Sequence, residues 1–140
     1  EFAERYRGLC AALEAAGHPV DPALQADALS SEEDGREAAA TLLARGAEFD
    51  AVFAASDLIA IGAMQALAEA GKRVPQDIAV MGFDNIPSAS LTNPPLTTLV
   101  QDLKTGGELL VETLIAQIED NPVPDATIPA KLVVRRSTAG

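Results

Sequence analysis

Two short apolar runs constrain this chain more than any other feature. Residues 50–55 read D-A-V-F-A-A and residues 78–83 read I-A-V-M-G-F. A continuous apolar run of that length is what a strand buried on both faces requires. Each run passes at once into polar residues, Ser56 and Asp57 after the first, Asp84 and Asn85 after the second. Between them L-I-A-I-G-A-M-Q-A-L-A-E-A is a strongly apolar helix that stops at Gly71. Strand, apolar helix, strand is the βαβ unit. It predicts an α/β fold, a parallel sheet with helices on both faces.

The flanking segments extend the alternation. Phe2, Tyr6, Leu9 and Leu13 recur at helical spacing from Phe2 to Ala16, and Gly17 ends that helix. Ala23 to Leu29 is short and apolar and reads as a weak strand. Ser30 begins S-S-E-E, a capping box with Glu33, and the following helix shows Ala38, Leu42 and Leu43 on one face before Gly46. Asp84 to Pro95 is a loop rich in Pro, Ser and Asn, Leu96 to Val100 is extended, and Asp102 or Thr105 caps a helix to about Ile118. Pro122 and Pro124 break that helix, and Lys131 to Arg136 is a last strand.

In an open parallel sheet, ligands bind beyond the carboxyl ends of the strands. Both polar clusters belong at that edge. A hydroxyl and a carboxylate there suit vicinal hydroxyls, Gly82 would let the backbone approach a ligand, and Arg5 can add a planar donor fork. Each residue also has an ordinary structural use. One of Ser56 and Asp57 caps the helix that follows, Asp84 can satisfy backbone amides in its turn, and Arg5 can simply be solvated.

Several functions are excluded or disfavoured. The formal net charge of −11 opposes phosphate contact, so nucleic acid is not a partner of these residues. The single cysteine, Cys10, forms no internal disulfide, and the single histidine, His18, rules out a histidine-based zinc cluster. We expect no metal and no cofactor, because G-x-G-x-x-G and P-loop strings are absent. Ser56 follows a strand as a hydrolase nucleophile would, but G-x-S-x-G is missing and nothing places His18 beside it. Asp57 and Asp84 as an acid–base pair lack further polar company. We therefore expect no enzyme. No segment approaches the about 20 apolar residues that span a bilayer. The chain opens on Glu1 inside a helical pattern, which leads us to expect part of a longer protein, and the single cysteine fits a reducing cytoplasm.

Four strings taken together point to a family. F-D-A-V-F-A-A-S-D-L-I-A-I-G-A-M-Q-A-L, G-K-R-V-P-Q-D-I-A-V-M-G-F-D-N-I-P, P-P-L-T-T-L-V-Q-D and L-V-V-R-R-S-T resemble the LacI/GalR (lactose-repressor) family in its order and spacing, and E-R-Y-R-G-L is similar to its R-x-x-G helix. The resemblance implies a periplasmic-binding-protein-like (type I) effector domain, mainly its second lobe. About 1–95 and 126–140 would form that lobe, and about 96–125 the crossing segment and a helix belonging to the first. The DNA-binding domain would lie outside this chain. The implied ligand-binding residues are Arg5, Ser56, Asp84 and Gln101, with Asp57 as a cap rather than a ligand group. The implied interface of a homodimer contains Ile61, Met64 and Leu91, for which ordinary core is the other reading. The implied partners are a small effector, a sugar or related molecule, and operator DNA through the missing domain. A periplasmic sugar-binding protein of a transporter is the alternative, and V-P-Q-D-I-A-V-M-G-F-D with P-P-L-T-T favours the repressor. The helix ending near Ile118 would leave Leu109, Leu110, Leu114 and Ile118 without a partner in this chain.

Overall fold

A computed structural model describes residues 2–46, 48–123 and 125–139. The side chain of Phe2, with its part in the first apolar face, and Pro124, with its part in ending the last helix, lie outside the described residues. The elements run α1 (Phe2–Ala15), a 3-10 turn (Pro22–Leu24), α2 (Glu32–Ala44), β1 (Ala51–Phe53), α3 (Asp57–Glu69), β2 (Ala79–Phe83), a second 3-10 turn (Pro87–Ser90), β3 (Thr97–Gln101), α4 (Leu103–Ile118) and β4 (Ala130–Val133). The sheet order is β1-β2-β3-β4. Strands β1, β2 and β3 are parallel, with Phe53 beside Met81 and Phe83 beside Leu99. The expectation of a parallel sheet holds for these three, while β4 runs antiparallel to β3.

Helix α3 is apolar on nearly every side because it is covered twice. Ile59, Ala60, Met64 and Leu67 join Ile78, Val80 and Leu96 in the main core. Ala63 and Ala66 meet Ala39 of α2. The α2–α3 crossing is close because glycines face backbone there. A Cβ on Gly62 would collide with the Glu32 carbonyl, and one on Gly35 with the Ile59 backbone. Phe83 alternates to the sheet face opposite Val80 and Gly82, and α1 meets that face through Arg5.

The chain's C-terminal segment locks the sheet from beneath. Ser137 is fully buried; its Oγ donates to the Val80 carbonyl at 2.6 Å and accepts from Thr97 N–H at 2.7 Å. Its backbone continues the seam, donating to Pro95 and accepting from Val80.

Four expectations are corrected. Ala23 to Leu29 is not a strand: Asp21 caps the 3-10 turn through Ala23 N–H, and the Arg45 guanidinium takes the Gln25 carbonyl at 2.7 Å in place of a strand partner. The capping box is one residue later, Ser31 with Asp34, which leaves Glu33 to pair with Arg36 at 2.7 Å. Strand β1 is not buried on both faces, because it is the sheet edge and Ala51 is exposed. Gly82 makes no room for a ligand; a Cβ there would collide with the Asp57 carboxylate. Asp102, not Thr105, caps α4. No residue of α4 is buried, and Leu110, Leu114 and Ile118 are exposed while Leu109 is half-buried.

Two predictions follow from packing and charge. A helical Gly→Ala change ordinarily stabilises by about 1 kcal/mol. That sign should hold at Gly8, where a Cβ meets nothing within 4 Å, and reverse at Gly62, where overpacking against backbone costs about 2 kcal/mol or more. Thermal melts of the two variants should move in opposite directions. Separately, Arg73 holds the Asp77 carboxyl well below the usual range, and the Thr105 N–H and hydroxyl lower that of Asp102. Folded values below unfolded ones mean these contributions are complete above the unfolded pKa, about 3.9, and fade as pH falls below it. Carboxyl NMR titrations with midpoints at or above the ordinary value would contradict these contacts.

Candidate functional site at the carboxyl edge of the sheet

Strands β1, β2 and β3 run the same way, so Ala54 to Ser56, Asp84 and Asn85, and Gln101 emerge at one edge. Arg5 gathers two of these ends. Its Nη1 donates to the Ala55 carbonyl and its Nη2 to Asp84 Oδ1 at 3.3 Å. The guanidinium carbon lies 3.7 Å from the centroid of the Phe83 ring, a cation–π stack. The Arg5 side chain is 9% exposed and that of Asp84 38%. Arg5 is thus a held group, and Asp84 is the one that presents itself to solvent. Gln101 shares the sheet face of Leu99 and Phe83 by strand alternation and is half-buried.

Asp84 sits at φ +109° and Asn85 at +53°, both in the region that favours glycine. Such strain is held only where the surroundings over-determine it, and it concentrates at binding sites. Here the surroundings are specific. Asp84 N–H donates to the Leu99 carbonyl at 2.8 Å. Asn85 N–H donates to Thr98 Oγ1 at 3.3 Å, and Arg135 clamps the Asn85 side chain at 2.7 Å and the Leu96 carbonyl at 2.7 Å. Ile86 N–H donates to Asp57 Oδ2 at 2.9 Å.

Ser56 and Asp57 divide the roles differently from the expectation. Ser56 is the cap, accepting from Ile59 N–H at 3.4 Å, and it is buried. Asp57 is not the cap; it is the first helical residue and stitches α3 to the strands. His18 is exposed and makes no hydrogen bond to Ser56 among the described residues. Among those residues no group of three or more His, Cys, Asp or Glu is placed to hold a metal ion, and no helix is long and apolar enough to cross a membrane.

Of the interface candidates, Leu91 is 82% exposed, Ile61 is half-buried, and Met64 lies in the main core at 8%. Leu58, beside Ile61 on the first turn of α3, is also exposed. A cavity of about 590 Å³ is lined by Met64, by Lys72 and Val74 before β2, by Pro94 before β3 and by Arg136 after β4. The Arg5–Asp84 edge is an open rim, not part of that cavity.

Phe83, Thr98 and Arg135 went unread in the sequence. An aromatic beside Asp84 was a usable signal for an arginine stack. Thr98 and Arg135 gave none, since their partners are 13 to 50 residues away in the chain.

The family profile of the periplasmic binding protein-like domain matches residues 2–138. The transcriptional repressor PurR of Pasteurella multocida is 36% identical over 135 residues, covering 95% of this chain and 40% of the repressor. Among solved structures, the complex of the transcriptional regulator CelR with cellobiose superposes with a TM-score of 0.91 at 35% identity, covering 96% of this chain and 42% of CelR. The Escherichia coli transcriptional repressor ascG gives 0.85 at 33%, covering 96% of this chain and 49% of that chain. The fold is therefore that of a periplasmic binding protein-like domain. The chain belongs to the periplasmic-binding-protein-like domain family, in the form found in LacI-type regulators. The resemblance to that group is borne out, and it favours the regulator over the transporter alternative. The relatives named here are regulators, in agreement with a binding domain that catalyses nothing. The chain spans about 40% of the PurR repressor it matches.

The strain at Asp84 gives a test of its own. Relieving it is worth about 1–3 kcal/mol, against about 0–1 for a half-exposed ion pair and up to about 1 for glycine's added chain entropy. Asp84→Gly should leave stability unchanged or slightly raised, while Asp84→Ala should lower it. Equal losses in urea melts would remove the argument from strain.

Proposed function

We propose that this chain is the ligand-sensing portion of a cytoplasmic LacI-type transcription regulator, and that it takes a small polyhydroxylated effector, a sugar or related molecule, at the Arg5–Asp84 edge. The carrying observation is a strained, part-exposed carboxylate braced by a stacked arginine where three parallel strands end. Asp84 accepts from effector hydroxyls, Arg5 orients Asp84, and Gln101 adds an amide from β3. Ser56, buried as a cap, reaches the effector through a bridging water. The cellobiose bound in the similar CelR structure supports a sugar-like ligand.

In this reading about 96–125 is the crossing segment, whose start (Leu96 and β3) lies in this chain's own core and sheet, and whose helix α4 belongs to a first lobe outside these residues. The exposed Leu110, Leu114 and Ile118 of α4 support that assignment. Ile61 and Leu91, with Leu58, form the contact of a homodimer, to which Met64 contributes from beneath as core. Operator DNA is bound by a domain outside these residues, in keeping with their net charge of −11. Effector binding differs in strength between two lobe arrangements, and that difference shifts operator affinity.

A thermal-shift screen of the intact protein with cellobiose, lactose, ribose and adenosine should give a concentration-dependent rise for at least one. Arg5→Ala and Asp84→Asn should then each weaken binding by about 1.5–3 kcal/mol in calorimetry. Unchanged affinity in both variants would reject the assigned site.

A further inference from the structure

Asp57 is fully buried, and its carboxylate meets no Lys or Arg among the described residues. Burying a charge in that way is costly unless every oxygen is hydrogen-bonded. Here both are. Oδ1 accepts from the Thr98 hydroxyl at 2.6 Å and Oδ2 from Ile86 N–H at 2.9 Å. The position at the first turn of α3 adds the favourable end of the helix dipole. Capping does not explain the residue, because Ser56 already caps this helix.

Its contacts all converge on one stretch of backbone. Thr98 Oγ1, which donates to Asp57, accepts from Asn85 N–H, and Ile86 N–H donates to Asp57 directly. The two peptide N–H groups that follow Asp84 are therefore fixed by this one network. The first of these peptides joins Asp84 to Asn85, the two residues at positive φ, and the peptide before Asp84 is held separately by the Leu99 carbonyl. Gly82 leaves the space the carboxylate occupies.

We propose that Asp57 is a positioning residue of the ligand site: its carboxylate pins the Asn85 and Ile86 amides so that Asp84 is held in the left-handed conformation that turns its carboxylate toward Arg5. The proposal rests on the reading of the Arg5–Asp84 edge as the effector site. It predicts a particular pattern among substitutions. In Asp57→Asn, the amide oxygen still accepts from Ile86 and the amide nitrogen donates to Thr98 Oγ1, whose hydrogen turns to the Leu99 carbonyl 3.3 Å away. Both links survive. In Asp57→Ala both are lost, and in Thr98→Val the Asn85 and Oδ1 links are lost.

The test uses the intact protein, with each variant first shown folded by circular dichroism. With whichever of cellobiose, lactose, ribose or adenosine binds the parent, Asp57→Asn should bind within about threefold of it, and Asp57→Ala and Thr98→Val about tenfold or more weakly. A second readout needs no ligand: the Arg5 guanidinium NMR signals and the protection of the Ile86 amide from exchange should persist in Asp57→Asn and be lost in Asp57→Ala. Parent-like binding by folded Asp57→Ala overturns the proposal, as does an equal loss in Asp57→Asn. If Asp57→Ala does not fold, Thr98→Val is judged by the same criteria. If none of the four compounds binds the parent, the effector reading fails on its own, and the Arg5 signals alone decide whether Asp57 positions Asp84.

Discussion

One buried carboxylate fixes how the helix layer sits on the sheet, beside the apolar core they share. Asp57 leaves α3 and ends among the backbone of the loop after β2 and the side chain of Thr98 in β3. Everything nearby is arranged around its volume and its charge. Gly82 lacks the Cβ that would strike it, and the N-terminus of α3 offers the electrostatic surroundings a buried anion needs. An uncompensated buried carboxylate costs several kcal/mol, comparable to much of a small domain's net stability. Satisfied, it fixes the relative position of α3, β2 and β3 more sharply than apolar contact does, because hydrogen bonds have direction where burial has none.

The rest of the fold makes that position rigid. Gly35 and Gly62 bring α2 against α3 at backbone contact, where small displacements are sterically forbidden. Ser137 closes the other end of the β2–β3 seam with two short hydrogen bonds from one hydroxyl group. Between these two fixed ends the loop after β2 has little freedom. It can therefore hold Asp84 and Asn85 in a conformation that two consecutive non-glycine residues would avoid in an open turn.

The parts of this architecture that were legible in the sequence are the periodic ones. D-A-V-F-A-A, the apolar helix after it and I-A-V-M-G-F read as β1, α3 and β2 because burial imposes apolarity directly on sequence. Ser56 and Asp84 were legible at the edge because parallel strands share one carboxyl edge whatever the packing, whereas Gln101 was named by the family resemblance and Arg5, on α1, gets no position from strand direction. Directionality was not legible: nothing in L-V-V-R-R marks β4 as antiparallel to β3. Nor were equal local alternatives resolved. S-S-E-E-D permits a box at Ser30 with Glu33 or at Ser31 with Asp34, and only the helix start chooses. Ser56 and Asp57 are likewise both good caps side by side, and the choice was made by Thr98, 41 residues downstream. Gly82 was read as space for a ligand when the space was for that same carboxylate.

The exposure of the edge residues bears on how an effector would be held. Ligand sites normally bury most of a small molecule's surface. The edge formed here supplies one wall only: Arg5 is spent largely on Ala55, Asp84 and the Phe83 ring, and Asp84 alone is well exposed. On the proposed function, a second wall must come from the body that also covers α4. The chain runs from Gln101 at the edge straight into α4 through the Asp102 cap, so the two surfaces are one short turn apart. A lobe that shields Leu110, Leu114 and Ile118 would then be anchored beside the effector it helps enclose. Closing that lobe onto Asp84 would couple ligand contact to lobe position through the β3–α4 junction capped by Asp102, which is the mechanical requirement for a sensor.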